Sequence, residues 1–354
     1  MLNILDYDRE TLQKLLAAEL SLEPFRATQI FRWLYKERVS TFDAMTDIAK
    51  PVRQKLSEHF IISRPQIKLT QLSKDGTKKY LFELEDGECI ESVLIKQPKR
   101  YTLCTSSQVG CAMGCKFCKT ATLGFKRNLK VHEIIGQILA VKEDIFGSPG
   151  DDDFYNIVLM GMGEPLNNLD NVLTVINILG DDYGLGFSER KITISTSGVV
   201  PEIAKLAAAK KRGNLAVSLN ATDNETRSKI MPINKRYPIE TLIDALRQFP
   251  LKGRQRITIE YVLLKGINDS PEDRKRLKKI LHNIPVKINL IPYNANPELS
   301  SKLGSGFSFE PPDRETIMKW QDELLQSKLN ATIRWSKGED ISAACGQLAA
   351  EGIK

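Results

Sequence analysis

The pattern of apolar and polar positions changes along the chain. Through the first sixty residues apolar side chains recur at three- and four-residue spacing, as at Ile30, Trp33 and Leu34, which is typical of helices with one buried face. Between about 67 and 96 apolar and polar residues alternate instead, with turn signals such as Gly76. This alternation predicts two or three antiparallel strands. The predicted helices lie near residues 8–19, 25–36 and 45–60.

From residue 102 onward, short apolar runs alternate with helical stretches. This order predicts parallel βαβ units, and a long series of them indicates an α/β fold with a full or partial (βα) barrel. A closed barrel and an open doubly wound sheet both fit the pattern, and in either the chemistry is expected at the carboxyl ends of the strands. The predicted strands are 102–107, 154–160, 191–196, 214–219, 256–264, 286–291 and 330–335, and the predicted helices are 131–145, 168–180, 199–210, 238–248, 272–282 and 313–327.

These patterns divide the chain into four parts. We expect a small helical accessory domain at 1–62, an antiparallel extension at 63–98, the barrel core at 99–335 and a C-terminal loop and helix at 336–354. A stretch rich in Ser, Gly and Pro at 296–312 predicts a mobile loop on the functional rim.

The composition narrows the class of protein. With 42% hydrophobic and 27% charged residues, the chain is typical of soluble globular proteins. No apolar run reaches the roughly 18 residues that span a bilayer, and the N-terminus lacks the apolar core of a signal peptide. We therefore expect a cytoplasmic protein with no membrane partner. Its 51 basic and 44 acidic residues give a net charge of +7, which permits an anionic partner such as RNA without requiring one.

Three of the six cysteines crowd into one short segment. Cys111, Cys115 and Cys118 have the spacing CxxxCxxC and follow a predicted strand. A disulfide framework is not expected in the cytosol, where thiols stay reduced. Three thiolates can hold three irons of a 4Fe–4S cubane and leave the fourth iron open for the amino and carboxylate groups of S-adenosylmethionine (SAM). A structural zinc site is the alternative, but it needs a fourth ligand, and no Cys or His lies close in sequence.

On these residues the chain resembles the radical SAM superfamily, in which an aromatic residue precedes the third cysteine, as Phe117 does here. A Gly–Glu pair after the second barrel strand holds the methionine amino group in that superfamily, and Gly163 and Glu164 match it. The resemblance implies a full or partial (βα) barrel, a 4Fe–4S cluster and SAM as cofactors. It also implies that the reduced cluster splits SAM into methionine and a 5′-deoxyadenosyl radical.

Longer stretches resemble one group within the superfamily, the bacterial adenine-C2 RNA methyltransferases. These enzymes act on 23S ribosomal RNA (23S rRNA) and, in some members, on transfer RNA (tRNA). The similarity runs over essentially the whole chain and implies that the N-terminal helices bind RNA. It further implies a monomer that receives electrons from an external donor such as flavodoxin or ferredoxin. The matching stretches are 104–111, 124–129, 195–201, 231–235 and 344–348.

The resemblance assigns roles to three reactive side chains. Cys345 matches the cysteine that carries a methyl group, and its small neighbours fit a flexible loop. Cys104 matches the cysteine that resolves the protein–RNA adduct by forming a disulfide. Glu91 matches the acceptor of the C2 proton, and on an alternating strand it shares a face with Val93 and Ile95. An inert buried thiol is the alternative for each cysteine, and a surface acid is the alternative for Glu91.

Further SAM contacts carry over by position. They are expected at strand ends, where polar side chains can hold the ribose and carboxylate groups of the cofactor. One departure is Asn220, which stands where relatives commonly carry His, although both side chains can donate a hydrogen bond. The residues are Ser195, Ser218, Leu219, Asn220 and Asn294.

Three other functions remain open from the sequence. A sister enzyme methylates carbon 8 of the same adenine and shares the cluster and both reactive cysteines, but 108–112 and 163–167 look more like the C2 group. A non-catalytic RNA-binding iron–sulfur protein would need neither Cys104 nor Cys345. A radical enzyme for a small molecule or peptide fits the basic clusters less well, because basic patches favour nucleic acid.

Overall fold

The computed structural model describes residues 1–98, 100–147, 156–295, 299, 301 and 308–350 of the 354-residue chain. The loop predicted at 296–312 lies largely outside the described residues. Within the described ranges, no helix has both the length and the apolar character needed to cross a membrane.

The N-terminal region is helical, as predicted. Its first helix begins after Asp8, whose carboxylate accepts a hydrogen bond from the backbone N–H of Thr11 at 2.9 Å; this N-cap satisfies one of the unpaired amides of the first turn. The third helix begins at residue 50 rather than near 45, because Pro51 has no backbone N–H to donate and therefore fits the first turn of a helix but not its interior. The helices are α1 (Arg9–Leu20), α2 (Phe25–Tyr35) and α3 (Lys50–His59).

One central sheet carries the rest of the fold. Within the described residues it has ten strands, and their order across the sheet is their order along the chain. The strands are β1 (Gln66–Leu72), β2 (Lys78–Glu83), β3 (Cys89–Gln97), β4 (Arg100–Cys104), β5 (Asn156–Leu159), β6 (Ile192–Thr196), β7 (Asn214–Ser218), β8 (Ile257–Leu263), β9 (Val286–Pro292) and β10 (Asn330–Ile333).

Strands β1 to β4 pair antiparallel, and β4 to β10 pair parallel. Across the described residues β10 pairs only with β9, so the parallel part is an open, partial barrel. Over those residues the sheet is therefore not a closed barrel, and because its strand order never reverses it is not doubly wound either. The helices between the parallel strands are α4 (Val131–Phe146), α5 (Leu169–Leu179), α6 (Val200–Ala208), α7 (Asn224–Ile230), α8 (Ile239–Gln248), α9 (Pro271–Ile280) and α10 (Arg314–Gln326).

In strand β8, alternate side chains face the hydrophobic core and the barrel lumen. Ile257, Ile259 and Tyr261 alternate along one face and are fully buried. The ring of Tyr261 lies 5.1 Å from that of Trp320 on α10, and burying a large apolar side chain contributes about 1.5–3 kcal/mol. Glu260, between them, faces the opposite side of the sheet, because successive side chains of a strand point to opposite faces. That opposite face is the barrel lumen.

A small hairpin supports the cysteine segment. Gln108–Gly110 pairs antiparallel with Phe125–Asn128, and the backbone N–H of Cys111 donates to the carbonyl oxygen of Gly124 at 2.8 Å. Gly110 has φ +73°, and a Cβ there would lie 1.8 Å from that same oxygen. Only glycine fits, so the entry to the CxxxCxxC segment is fixed by backbone contact.

We predict that Gly110→Ala destabilises the protein more than Gly124→Ala. Both glycines have positive φ, which costs an L-residue about 1–2 kcal/mol, but a Cβ at Gly124 would meet no atom within 4 Å. The clash at Gly110 adds about 1–3 kcal/mol. Denaturant unfolding of both variants measures the difference, and equal unfolding midpoints would contradict the close approach.

Candidate active site

A cavity opens at the carboxyl ends of the parallel strands, as expected for this architecture. It has a volume of 170 Å³, and we name it the upper cavity. Its wall combines the three clustered cysteines with polar residues that follow β5, β6, β7 and β9. Its lining includes Cys111, Cys115, Phe117, Cys118, Gly163, Glu164, Ser195, Ser218, Asn220, Asn294 and Cys345.

The three clustered thiols lie where ionisation is unfavourable. Burial raises the pKa of Cys111 to about 12, and it also raises the pKa of Cys115 and of Cys118. A thiol that binds metal does so as a thiolate, and the metal charge then offsets the cost of desolvation. These thiols suit metal ligation better than free nucleophilic chemistry.

The donor set fits a 4Fe–4S cluster with one iron left open. In the part of the chain that the structure describes, no three His, Cys, Asp or Glu side chains converge on a single ion position. A cubane does not need such convergence, because each thiolate binds a different iron. Cys111, Cys115 and Cys118 all reach the upper cavity, so they would hold the cluster there.

The predicted Gly–Glu pair lies in the cavity wall. Gly163 has φ +103°, and a Cβ there would lie 2.5 Å from the Cβ of Gln108. Gln108 in turn accepts a hydrogen bond from the backbone N–H of Glu164 at 2.8 Å. The Glu164 carboxylate accepts from the backbone N–H of Ser197 at 2.7 Å and from the Ser197 hydroxyl at 2.8 Å. It is therefore a fixed acceptor that could bind an ammonium group.

Burial raises the pKa of Glu164, and the hydrogen bonds from Ser197 oppose that rise. A cationic ligand would favour the carboxylate further, because an opposite charge nearby stabilises the ionised form. The amino group of SAM has the required charge.

The other expected SAM contacts divide into two groups. Ser195, Ser218 and Asn294 line the upper cavity. Leu219 is only 1% exposed and packs in the main hydrophobic core, outside the cavity wall. Its carbonyl oxygen accepts a hydrogen bond from Nε of Arg227 at 2.9 Å. The structure therefore shows Leu219 in contact with other parts of the protein and not with the cavity.

Asn220 lies in the cavity wall with its side chain engaged. Its φ is +55°, a left-handed conformation that Asn tolerates better than most residues. Its Oδ1 accepts from the backbone N–H of Val262 at 2.8 Å, and its Nδ2 donates to the sulfur of Met231 at 3.3 Å. Asn therefore supplies the backbone geometry that this strand end requires.

The second cavity lies deeper in the lumen, has a volume of 580 Å³, and is named the lower cavity. Cys104, at the end of β4, is buried and lines this cavity. Cys345 is exposed and lines both cavities. Residues 241 positions apart in sequence thus meet in one lumen, whereas Cys89 lines neither cavity.

Hydrogen bonds hold the loop that carries Cys345. Asn294 donates from Nδ2 to the carbonyl oxygen of Cys345 at 3.2 Å, and the hydroxyl of Ser336 donates to Oδ1 of Asn294. The backbone N–H of Lys119 donates to the carbonyl of Gly346 at 2.7 Å. These contacts bring the loop against the cysteine segment.

Glu91 is placed differently from the other expected residues. It is 3% exposed and lines neither cavity. Its Oε1 pairs with Lys79 at 3.2 Å, and its Oε2 accepts from the backbone N–H groups of Ala349 and Ala350 at 2.8 and 3.0 Å. The carboxylate therefore holds the C-terminal segment.

Three residues of the site were not singled out from the sequence. Ser197 follows the expected Ser195 by two positions in a Ser-Thr-Ser-Gly run, which was an available signal. Glu260 and Arg334 line both cavities. Glu260 is the one charged residue of β8, and a charged residue in a mainly apolar strand indicates a lumen position.

Comparisons with known sequences agree with this site. Residues 2–62 match the family described as the ribosomal RNA large subunit methyltransferase N-terminal domain. Residues 105–278 match the radical SAM superfamily. Members of that superfamily use a 4Fe–4S cluster and SAM, and these are the cofactors of this chain.

Relatives match over nearly the whole length. The dual-specificity RNA methyltransferase RlmN of Desulfosudis oleivorans is 52% identical, with 94% of this chain and 86% of the relative covered. The protein of the same name from Geobacter sulfurreducens is 50% identical, with 92% and 86% covered.

A solved structure agrees as well. A radical SAM methyltransferase from Sphaerobacter thermophilus superposes with a TM-score of 0.88 at 39% identity, covering 99% of this chain and 100% of that one. The expected full or partial (βα) barrel is confirmed, and it is the partial form. The chain belongs to the RlmN family within the radical SAM superfamily.

Proposed function

We propose that the chain is a radical SAM RNA methyltransferase that methylates carbon 2 of an adenosine in 23S rRNA and in tRNA. The observation that carries the proposal is the meeting of the CxxxCxxC thiols, Cys104 and Cys345 in one barrel lumen. Support for two RNA classes comes from the relatives, which are named dual-specificity enzymes. Support for ribosomal RNA comes from the N-terminal family.

The cofactor roles follow from the upper cavity. Cys111, Cys115 and Cys118 would hold the cluster, which when bound and reduced splits SAM and supplies a 5′-deoxyadenosyl radical. Glu164 binds the SAM amino group. Gly163 has no Cβ, so the backbone turn at this residue can come close to that amino group. Phe117, Ser195, Ser218, Asn220 and Asn294 complete the wall around the cofactor, and Leu219 supports it from the core.

The substrate chemistry explains why a cysteine takes part. Carbon 2 of adenine is an electron-poor amidine carbon, so it cannot attack the methyl group of SAM as a nucleophile. Cys345 can, because sulfur is strongly nucleophilic and this residue is exposed on a loop. It accepts a methyl group and presents it to the lumen, where the carbon radical derived from it can add to the base.

Two further side chains complete the reaction. Cys104 attacks the sulfur of Cys345 in the protein–RNA adduct and frees the methylated base as a disulfide forms. Glu91 accepts the C2 proton. Because its Oε2 is occupied by the amides of Ala349 and Ala350, the C-terminal segment must leave Glu91 before the base can reach it.

The proposal extends to the rest of the chain. Residues 1–62 bind RNA, 63–98 extend the sheet, 99–335 hold the cofactors and 336–354 carry the methyl-accepting cysteine. The enzyme acts as a monomer in the cytoplasm, where its RNA substrates are, and an external donor such as flavodoxin or ferredoxin supplies the electron.

We predict that Cys345→Ala abolishes methylation, because no other exposed cysteine lines both cavities in the described part of the chain. The reconstituted protein is incubated anaerobically with SAM, a reductant and RNA, and the nucleosides are analysed for 2-methyladenosine. Cys89→Ala, which removes a thiol outside both cavities, should retain activity. A methyl group on carbon 8, or product from Cys345→Ala, would contradict the proposal.

Replacing Cys118 by Ala should prevent stable cluster binding, because two thiolates leave two irons without protein ligands. Iron and sulfide content and the visible absorbance after anaerobic reconstitution measure this, with Cys89→Ala as the matched control. A Cys118→Ala protein that keeps full iron content and cleaves SAM would show that the ligand assignment is wrong.

Replacing Cys104 by Ala should trap the RNA on the protein, because the thiol that attacks Cys345 is missing. Denaturing electrophoresis detects the slow-migrating adduct, and mass spectrometry of its peptides locates the link at Cys345. If free 2-methyladenosine forms at the wild-type rate, Cys104 has no part in resolution.

A further inference from the structure

Arg334 occupies the junction of the two cavities. It follows the last residue of β10, and its backbone N–H donates to the carbonyl of Leu290 at 2.8 Å, which continues the pairing of β10 with β9. Its half-buried side chain lines both the upper and the lower cavity. Cys345 lines the same two cavities, and Cys104 lines the lower one. Arg334 therefore belongs to the same lumen wall as the two reactive cysteines.

Arg334 forms no salt bridge with a carboxylate among the described residues. In the described part of the chain no Asp or Glu lies within ion-pairing distance of it. Its Nη1 donates to the sulfur of Met160 at 3.7 Å, and a thioether is only a weak acceptor. Glu260 interacts with Arg334 through space, but its own hydrogen bond comes from Nδ2 of Asn289 at 3.0 Å, and its Oε2 has no hydrogen-bond partner.

Arg334 interacts electrostatically with Cys104 and with Cys345. Burial raises the pKa of Cys104 to about 12, and Arg334 is the cation that opposes the rise. Cys345 is the main cause of the raised pKa of Arg334, and Cys104 and Glu260 add to it. The thiolate is the attacking form of a thiol, and a nearby cation stabilises that anion.

We propose that Arg334 is a positioning residue for the disulfide-forming step, in which its guanidinium holds the Cys104 sulfur as an anion beside Cys345. The inference rests on the proposed function. In this step the Cys104 sulfur attacks the Cys345 sulfur, an S–S bond forms, and the S–C bond to the RNA-linked methylene breaks. The electron pair of that bond passes to the carbon, which takes up the proton released by Cys104 and becomes the methyl group. An external dithiol then reduces the disulfide.

The experiment compares four anaerobic reactions with RNA: wild type, Cys104→Ala, Arg334→Met and Arg334→Lys. Arg334→Met should slow adduct resolution by about tenfold or more, because a nearby opposite charge shifts a pKa by about one unit or more. It should therefore accumulate the Cys345-linked adduct, while SAM cleavage and methylation of Cys345 proceed. Arg334→Lys keeps the charge and should restore much of the resolution rate, which a purely structural role would not predict.

Two controls separate this role from a loss of stability. Arg274→Met removes another buried guanidinium, one that pairs with Glu323 at 2.9 Å between α9 and α10, and it should release product without trapped adduct. The double variant Arg334→Met/Glu260→Gln removes the two charged side chains that line both cavities, and it should trap adduct even if the single variant is unstable.

The outcomes distinguish the inference from the function on which it rests. If wild type makes no 2-methyladenosine, or Cys104→Ala traps no adduct, the proposed function fails. If Cys104→Ala traps adduct but Arg334→Met resolves it at the wild-type rate, the inference alone is overturned. Loss of SAM cleavage in both Arg334→Met and the double variant would also overturn it, because Arg334 would then act before resolution.

Discussion

Burial opposes the ionisation of Cys104 and of the three clustered cysteines, and the site depends on what stabilises each of these thiolates. The pKa of Cys104 and that of Cys111 both rise to about 12 because of desolvation. Cys111 belongs to a segment with three cysteines, and binding to a metal would stabilise their thiolates. Cys104 stands apart from that segment, and the cation near it is Arg334. The same burial thus acts on the ligand cysteines and on Cys104, and what stabilises the thiolate differs between them.

The open sheet determines where these groups meet. Lumen-facing residues of a strand lie two positions apart, or about 6.5–7 Å along it. On β8 they are Thr258 in the lower cavity, Glu260 in both and Val262 in the upper cavity. Charged and sulfur-bearing groups thus occupy the middle layer, between the cofactor end and the deeper chamber. Because β10 has a free edge in the described chain, the C-terminal loop can bring Cys345 into that layer.

The sequence was a good guide wherever a local pattern determines structure. All seven predicted parallel strands are present, and the CxxxCxxC segment and the Gly–Glu pair both reach the upper cavity. Leu219 was less predictable, because position after a strand does not specify which of two successive residues faces the lumen. Arg334 was missed because its proposed role arises from contacts with Met160 and with β9 and from an electrostatic interaction with Cys345, and these partners are far apart in sequence.

The C-terminal loop is attached by hydrogen bonds to the antiparallel extension at both ends. At one end Asp340 accepts hydrogen bonds from the hydroxyl of Ser73 at 2.6 Å and the backbone N–H of Lys74 at 3.1 Å. At the other end Glu91 binds the amides of Ala349 and Ala350. Cys345 lies between the two ties, so its position depends on both.

The tie at Glu91 also sets a free-energy scale for exposing the proposed proton acceptor. Hydrogen bonds to a charged group contribute about 1.5–3 kcal/mol each, so freeing the carboxylate from two amides costs on the order of 3–6 kcal/mol. A partner that binds with micromolar affinity supplies about 8 kcal/mol. Binding of a large RNA can therefore displace the segment, whereas thermal motion alone exposes Glu91 in only a small fraction of molecules. The C-terminal segment would in this way keep the proposed proton acceptor covered until RNA binds.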